Sequence, residues 1–317
     1  MRVSVVPFSE DQSSRWDAFC DHAANATFLH TRKFLSYHGS RFEDASSLVI
    51  ADDELVGVFP AARLLTERAT VCSHPGSTYG GLVGTEWLTG AKSLISFEAL
   101  ARYYAGKGFT HLLYKAVPHI YHRRPAQDDL YSLQRIGARR CRADLAAVID
   151  LANRGAASSR RSRGFKKAQT SGITVSVGAQ YLPLFWPVLK ENLYKRHGVR
   201  PVHTEDELAL LMDRFPESIS LHVAMQADEV VAGIVVFDSE RVRHSQYIGA
   251  AEVGRELGGL DAVFERCIRE ALERGFRFFS FGVSTESEGE VLNDGLHTFK
   301  AEFGASGIVH EFYELPL

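Results

Sequence analysis

Lys300 lies in Phe299-Lys300-Ala301-Glu302-Phe303-Gly304, where a single cation is set among aromatic residues. An ammonium group in such a place can stabilise an oxyanion or hold a substrate phosphate. Tyr247, in Gln246-Tyr247-Ile248-Gly249, brings a phenol that can protonate a leaving group. The backbone N–H groups around Ile248 and Gly249 can face a donor molecule. His203 closes the stretch Lys195-Arg196-His197-Gly198-Val199-Arg200-Pro201-Val202-His203, and with Arg196 it is expected to face an acceptor. An oxyanion stabiliser, a proton donor and a titratable imidazole together suit attack of an amine on an acyl carbonyl.

The N-terminal half carries a second set. His74 opens the turn-rich loop His74-Pro-Gly-Ser-Thr-Tyr-Gly-Gly81. His119 and His122 lie in Val117-Pro-His-Ile-Tyr-His-Arg-Arg-Pro125, beside Tyr121, Arg123 and Arg124. Imidazoles titrate near neutrality and can act as bases. Arginines at this density suit an anionic ligand such as a nucleotide-sugar diphosphate. Arg160, Arg161, Arg163, Lys166 and Lys167 form a basic run that could meet the phosphates of tRNA or of a nucleotide acceptor. Only Phe165 interrupts it with a ring able to stack on a base. Glu286, Glu288 and Asp294 precede Lys300, and one of them could hold it in place. No metal site is expected, because these carboxylates have only His297 near ligand spacing.

Alternation predicts strands at Val3–Val6, Ser47–Ala51, Leu55–Leu64, Val71–Ser73, Thr110–Tyr114 and Cys141–Leu151. Helices are expected from Ser9 to about His22, over 31–38, Ala91–Gly106 and Gln127–Ile136. The second half predicts strands at Ile173–Val177, Ser220–Gln226, Glu229–Asp238, Arg241–Gly249, Arg277–Phe281 and Gly307–Tyr313. Between them come helices at Tyr181–His197, at Thr204–Arg214 behind the cap signature Thr204-Glu-Asp-Glu, and from about Arg255 to Arg274. A short helix carries Lys300. Each half therefore repeats one order: strand, two helices, a meander of antiparallel strands, helix, strand, helix, strand. The expected fold is α/β with mixed sheets in two tandem domains, 1–155 and 156–317. The boundary falls where Asn153–Ala168 turns basic and Gly/Ser-punctuated.

The 317 residues are 45% hydrophobic, enough for a sizeable core. The formal charge of -3 excludes a protein that binds nucleic acid through its overall field. Cys20, Cys72, Cys141 and Cys267 are far apart and form no CxxC pair, which argues against zinc and against a disulfide framework. No apolar run approaches the roughly 18 residues of a membrane span. The first residues lack the charged and apolar regions of a signal peptide. A cytoplasmic location is expected.

Several stretches, in order along the chain, resemble the Fem-like branch of the GNAT N-acyltransferase superfamily. They are Phe28-Leu-His-Thr-Arg-Lys-Phe-Leu35, Leu55-Val-Gly-Val-Phe-Pro60, Tyr79-Gly-Gly-Leu82, Ser162-Arg-Gly-Phe-Lys-Lys-Ala168 with Gly172, Phe281-Gly282 and Phe299-Lys300. The resemblance implies two GNAT-like domains, the first on the acceptor side and the second on the donor side. It implies an active-site role for Lys300 and substrate contacts for Lys33 and Tyr79. Acetyl-CoA-using relatives carry Arg/Gln-x-x-Gly-x-Gly/Ala, whose N–H groups cradle a pyrophosphate at a helix start. Arg255-Glu-Leu-Gly258-Gly259-Leu260 resembles that loop, with Leu260 where a small residue is usual. The expected reaction is transfer of an acyl group, acetyl above all, from acetyl-CoA or another acyl-CoA to an amine. The acceptor is expected to be an amino sugar or another cell-envelope precursor, small or nucleotide-linked. The alternative is an aminoacyl-tRNA donor, as in the peptidoglycan aminoacyltransferases of the family. A further alternative is a non-enzymatic nucleic-acid-binding or scaffold protein.

Overall fold

The computed structural model describes residues 2–64, 66–67 and 69–317. The chain divides into two compact units. The first comprises Met1–Leu145, Thr285–Val291 and Val309–Leu317; the second comprises Ala146–Ser284 and Leu292–Ile308.

In chain order the first stretch forms β1 (Val3–Pro7), α1 (Ser13–His22), α2 (Arg32–Leu35), β2 (Ser47–Ala51), β3 (Glu54–Phe59), β4 (Ala62–Arg63), β5 (Thr70–Cys72) and β6 (Val83–Gly84). Then come α3 (Ala91–Gly106), β7 (His111–Lys115), α4 (Asp128–Arg135) and β8 (Arg139–Asp150). The hairpin between β2 and β3 turns on Asp52 and Asp53, both at positive φ, the backbone that a two-residue hairpin turn demands. The strand expected over 55–64 is broken by Pro60. Its two parts, β3 and β4, belong to different sheets: β1-β2-β3-β6, and the series β4-β5-β7-β16 completed by β16 (Ser306–Pro316). Proline has no N–H for a ladder, so the strand ends where it stands.

The second unit begins with the end of β8. It continues with α5 (Ser159–Thr170), β9 (Thr174–Val177), α6 (Leu182–His197), α7 (Glu205–Arg214), β10 (Ile219–Gln226), β11 (Glu229–Asp238) and β12 (Val242–Ala250). There follow α8 (Glu252–Glu256), α9 (Gly259–Glu273), β13 (Phe278–Val283) and, after β14 (Thr285–Glu286) of the first unit and β15 (Val291–Leu292) at the boundary, α10 (Asp294–Ala301). The capping box expected at Thr204 is present, with the Thr204 side chain accepting from the Glu207 N–H. The single helix expected over 255–274 is two helices, because Gly258 adopts φ +77 between them.

The strand order in this unit is β8-β13-β12-β11-β10-β9. Neighbours are antiparallel except β12 and β13, which run parallel. The apolar stripe of α9 lies on one face. The core there collects Val263, Phe264, Cys267 and Ile268 with Ala232, Ile234, Phe279 and Phe281. Helix α6 covers β11 and β12 at Gly233 and Gly249, where a Cβ would press on Phe185.

Phe264 is fully buried, and its ring meets those of Phe281 and Phe303 at 4.9 Å and of Phe299 at 6.0 Å. Since Phe299 and Phe303 belong to the segment that carries Lys300, this ring cluster seats that segment. Phe264→Ala is expected to cost about 3–5 kcal/mol of unfolding free energy. Urea denaturation checks this, and a loss below about 1 kcal/mol would show that α10 does not rest on the cluster.

Candidate active site

The site begins where two parallel strands part. β12 and β13 pair only over Val242↔Phe278, Arg243↔Phe279 and His244↔Ser280. Beyond them β13 is next paired, at Val283, with Ala146 of β8. The cause is visible in β12: Gln246 is an extra residue between the pairs Val236↔Ser245 and Val235↔Tyr247. Such a bulge bends its strand and re-aims the side chains around it. The result is a fork with Tyr247, Ile248 and Gly249 on one arm and Phe281, Gly282 and Val283 on the other.

At the base of the fork, the Ser245 hydroxyl donates to the Ser280 carbonyl at 3.2 Å. The Ser280 hydroxyl lies 3.2 Å from His244 Nδ1 and accepts from the Gly282 N–H at 3.2 Å. Gly282 has φ +75, and a Cβ there would stand 3.2 Å from the His244 ring. Residue type alone gives His244 and Ser280 no role, since they stand inside two separate predicted strands, 241–249 and 277–281.

Lys300 reaches the second arm of the fork. It is 3% exposed, and Nζ donates to the carbonyls of Gly282 at 3.0 Å and Val283 at 2.5 Å. Helix α10 is fixed by Asn293, whose side chain accepts from the Leu296 N–H at 3.0 Å and whose own N–H donates to the Ser284 carbonyl at 2.9 Å. Backbone carbonyls, not the nearby carboxylates of Glu286, Glu288 or Asp294, hold this lysine. Burial lowers its pKa to about 7. An ammonium has three N–H donors, so two carbonyls leave one to offer a ligand.

Tyr247 and His203 form a buried pair. The Tyr247 oxygen lies 2.6 Å from His203 Nδ1 and accepts the His203 backbone N–H at 3.1 Å. Because that oxygen already accepts a hydrogen, the phenol O–H is best assigned as the donor to Nδ1, with Nε2 carrying the ring hydrogen. Burial raises the phenol pKa. Arg196 is exposed on α6.

The loop that resembles a pyrophosphate cradle is packed against protein. Arg255 donates to the Ala250 carbonyl at 2.5 Å and to Asn192 at 3.3 Å, tying the end of β12 to α6. Gly258 lies under α5: a Cβ there would stand 2.2 Å from the Gly164 carbonyl oxygen. A Cβ on Gly259 would press on the Gly254 carbonyl at 3.0 Å. Asp261 fills the first turn of α9, is 8% exposed, and pairs with Arg161 at 2.9 Å. A carboxylate already satisfies the positive end of this helix. The glycines of Arg255–Leu260 thus allow helices and strands to approach closely, and the residues around them do not fit a bound pyrophosphate.

The remaining expected residues lie in the first unit. His74 takes φ +49, and its ring packs on His38 and Phe42. Burial, and then His38, lowers its pKa to about 2, so it is neutral. Buried Lys115 donates from Nζ to the carbonyls of His74, at 3.2 Å, and of Ser77. Tyr79 is buried and donates its O–H to Thr27 at 3.1 Å. Arg123 Nη1 donates to the carbonyls of Cys20, Asp21 and Ala23, closing the C-terminus of α1. Lys33 and His119 are exposed.

Residues 138–290 match the acetyltransferase (GNAT) domain family. No curated protein sequence matches the chain. Among solved structures, FemX is similar over 99% of this chain and 97% of its own, with TM-score 0.70 and 11% identity. L-PGS from Bacillus licheniformis is similar over 96% and 91%, with TM-score 0.64 and 14% identity. A tandem GNAT protein from the clavulanic acid biosynthesis pathway is similar over 99% and 98%, with TM-score 0.50 and 12% identity. The chain has a Fem-like double GNAT fold, and residues 138–290 carry its match to an acetyltransferase domain.

The lysine makes one prediction about stability. Its pKa in the folded chain, about 7, lies below the ordinary 10.5. Between those values the unfolded chain binds more protons, so stability rises with pH across that window. Measured against Lys300→Met, the wild type should gain stability there, with a slope approaching about 1.4 kcal/mol per pH unit. Chemical denaturation at stepped pH reads the difference, and a flat difference contradicts an ordinary lysine being depressed by burial.

Proposed function

We propose that this chain forms an amide by moving an aminoacyl group from the 3′ end of a tRNA to an amine, carried by an amino sugar or other cell-envelope precursor. The observation behind this reading is the filled start of α9. With the Gly164 backbone and the Asp261 carboxylate there, a CoA pyrophosphate has neither room nor favourable charge, while the fork and Lys300 are intact. The Fem-like resemblance includes relatives that use aminoacyl-tRNA, and it therefore agrees with a donor other than CoA. Acyl-CoA, the donor first expected from the glycines at 258 and 259, becomes the second reading.

In the proposed reaction the acceptor nitrogen attacks the ester carbonyl in the fork. The carbonyl oxygen gains negative charge and receives the remaining N–H of Lys300, with backbone N–H groups near Ile248 and Gly249 beside it. The bond between the acyl carbon and the ribose oxygen then breaks. The nitrogen loses one proton and the ribose oxygen gains one, so protons balance. Tyr247 is assigned to turn its O–H from His203 Nδ1 to the leaving oxygen and donate to it, and the proton lost by the nitrogen returns to the phenol. Arg196 is assigned to the acceptor's anionic groups. The carbonyl-bound Arg123 and the buried Tyr79 and His74 are assigned to shaping the loops of the first unit.

Lys300→Met is expected to lower kcat by about 100-fold or more, the loss seen when one oxyanion donor is removed. Tyr247→Phe should lose about 100- to 10,000-fold, as for removal of a general acid. If the charged form of Lys300 is required, kcat/KM should fall above a pH of about 7. That alkaline limb should be missing from the residual activity of Lys300→Met. A transfer assay with purified aminoacyl-tRNA and an amino-sugar acceptor reads all three. Transfer from acetyl-CoA but from no aminoacyl-tRNA would replace this reading with the second.

A further inference from the structure

Helix α5 has five basic residues and no acidic one. The structure sorts them by direction. Arg161 alone turns inward, with Asp261 at 2.9 Å, Glu302 at 3.0 Å and the Phe299 ring at 4.9 Å. Arg160, Arg163, Lys166 and Lys167 are exposed. Arg160 reaches only the edge of an ion pair, 3.9 Å from Glu302. Among the described residues, no carboxylate lies within ion-pair distance of Arg163, Lys166 or Lys167. Positions 160, 163 and 167 recur at helical spacing, so their charges line one face at about one turn apart. Like charges held together without partners cost stability unless an anion joins them.

The helix is rigidly placed. Gly164 packs its backbone on Gly258 and has no room for a Cβ beside the Asp261 carboxylate, which would lie 2.4 Å away. Hence α5 covers the helix start that would hold phosphates in a CoA enzyme and presents its own cations outward from that spot.

We infer that the outer face of α5, Arg160, Arg163, Lys166 and Lys167, docks the phosphate backbone of the donor RNA. This deepens the aminoacyl-tRNA reading and rests on it. The exposed face is otherwise Ser159, Ser162, Gln169 and Thr170, while Phe165 is half-buried and Ala168 buried. It offers no apolar side chain to insert into a bilayer, as a membrane-surface helix would. Lysines and arginines on backbone phosphates bind without reading sequence, which suits one enzyme taking its donor by shape and charge.

The test is a fluorescence-anisotropy titration of the full chain with a labelled RNA hairpin that copies a tRNA acceptor stem and its CCA end. It is run over a series of salt concentrations. R163E/K166E/K167E should weaken binding at least about tenfold, and its log K against log salt should be shallower by about 2–3. The milder R163Q/K167Q should lie between, which covers a failure of the triple variant to fold. Unchanged affinity and slope in folded charge variants would overturn the surface. So would binding to phosphatidylglycerol vesicles in place of the hairpin. Hairpin binding through α5 with no transfer from aminoacyl-tRNA would uphold the surface and sink the donor reading.

Discussion

A buried lysine held by two backbone carbonyls sets the geometry of the second unit. An ammonium removed from water is costly unless hydrogen bonds replace its hydration. Here the carbonyls of Gly282 and Val283 supply them. For those carbonyls to meet Nζ, β13 must leave β12 after Ser280, Gly282 must turn at positive φ, and α10 must be pinned at Asn293. The bulge at Gln246 and the rings around Phe264 serve the same placement from either side. The first unit shows a similar device, with Lys115 holding the carbonyls of His74 and Ser77.

The donor question turns on glycine. A glycine-rich turn before a helix can cradle phosphate, or it can let two backbones touch. The pattern at Arg255–Leu260 fits both. The structure gives each glycine a protein neighbour: Gly164 over Gly258, Val231 against Gly254, and Gly254 against Gly259. Asp261 then supplies the negative charge that the start of α9 favours. Helix α5 thus packs on the start of α9, and its other charges face outward.

Local structure was largely legible in the sequence, because caps and alternation act over a few residues. Thr204 and the Asp52-Asp53 turn lie where they were read. The breaks at Pro60 and Gly258 were signalled by their own residue types but masked by apolar periodicity on both sides. Within the candidate site, Lys300 and Tyr247 could be picked out by type and setting. His244 and Ser280 could not, since their meeting depends on a parallel pairing between strands 36 positions apart. The carbonyl anchors of Lys300 were also invisible, because a backbone acceptor leaves no mark on residue identity. Carboxylates near in sequence drew attention instead. Likewise, five basic residues on α5 read as one patch, and only packing on Asp261 and Glu302 separates Arg161 from the rest.

The most direct test of the account follows the Lys300 side chain itself. In protein labelled at lysine, its NMR resonance can be assigned by its absence from Lys300→Arg and followed with pH and with ligand. The account predicts titration near 7, and a shift on adding a stable amide-linked aminoacyl-RNA analogue but not on adding CoA. Titration near 10.5, or a response to CoA with none to the RNA analogue, would contradict it.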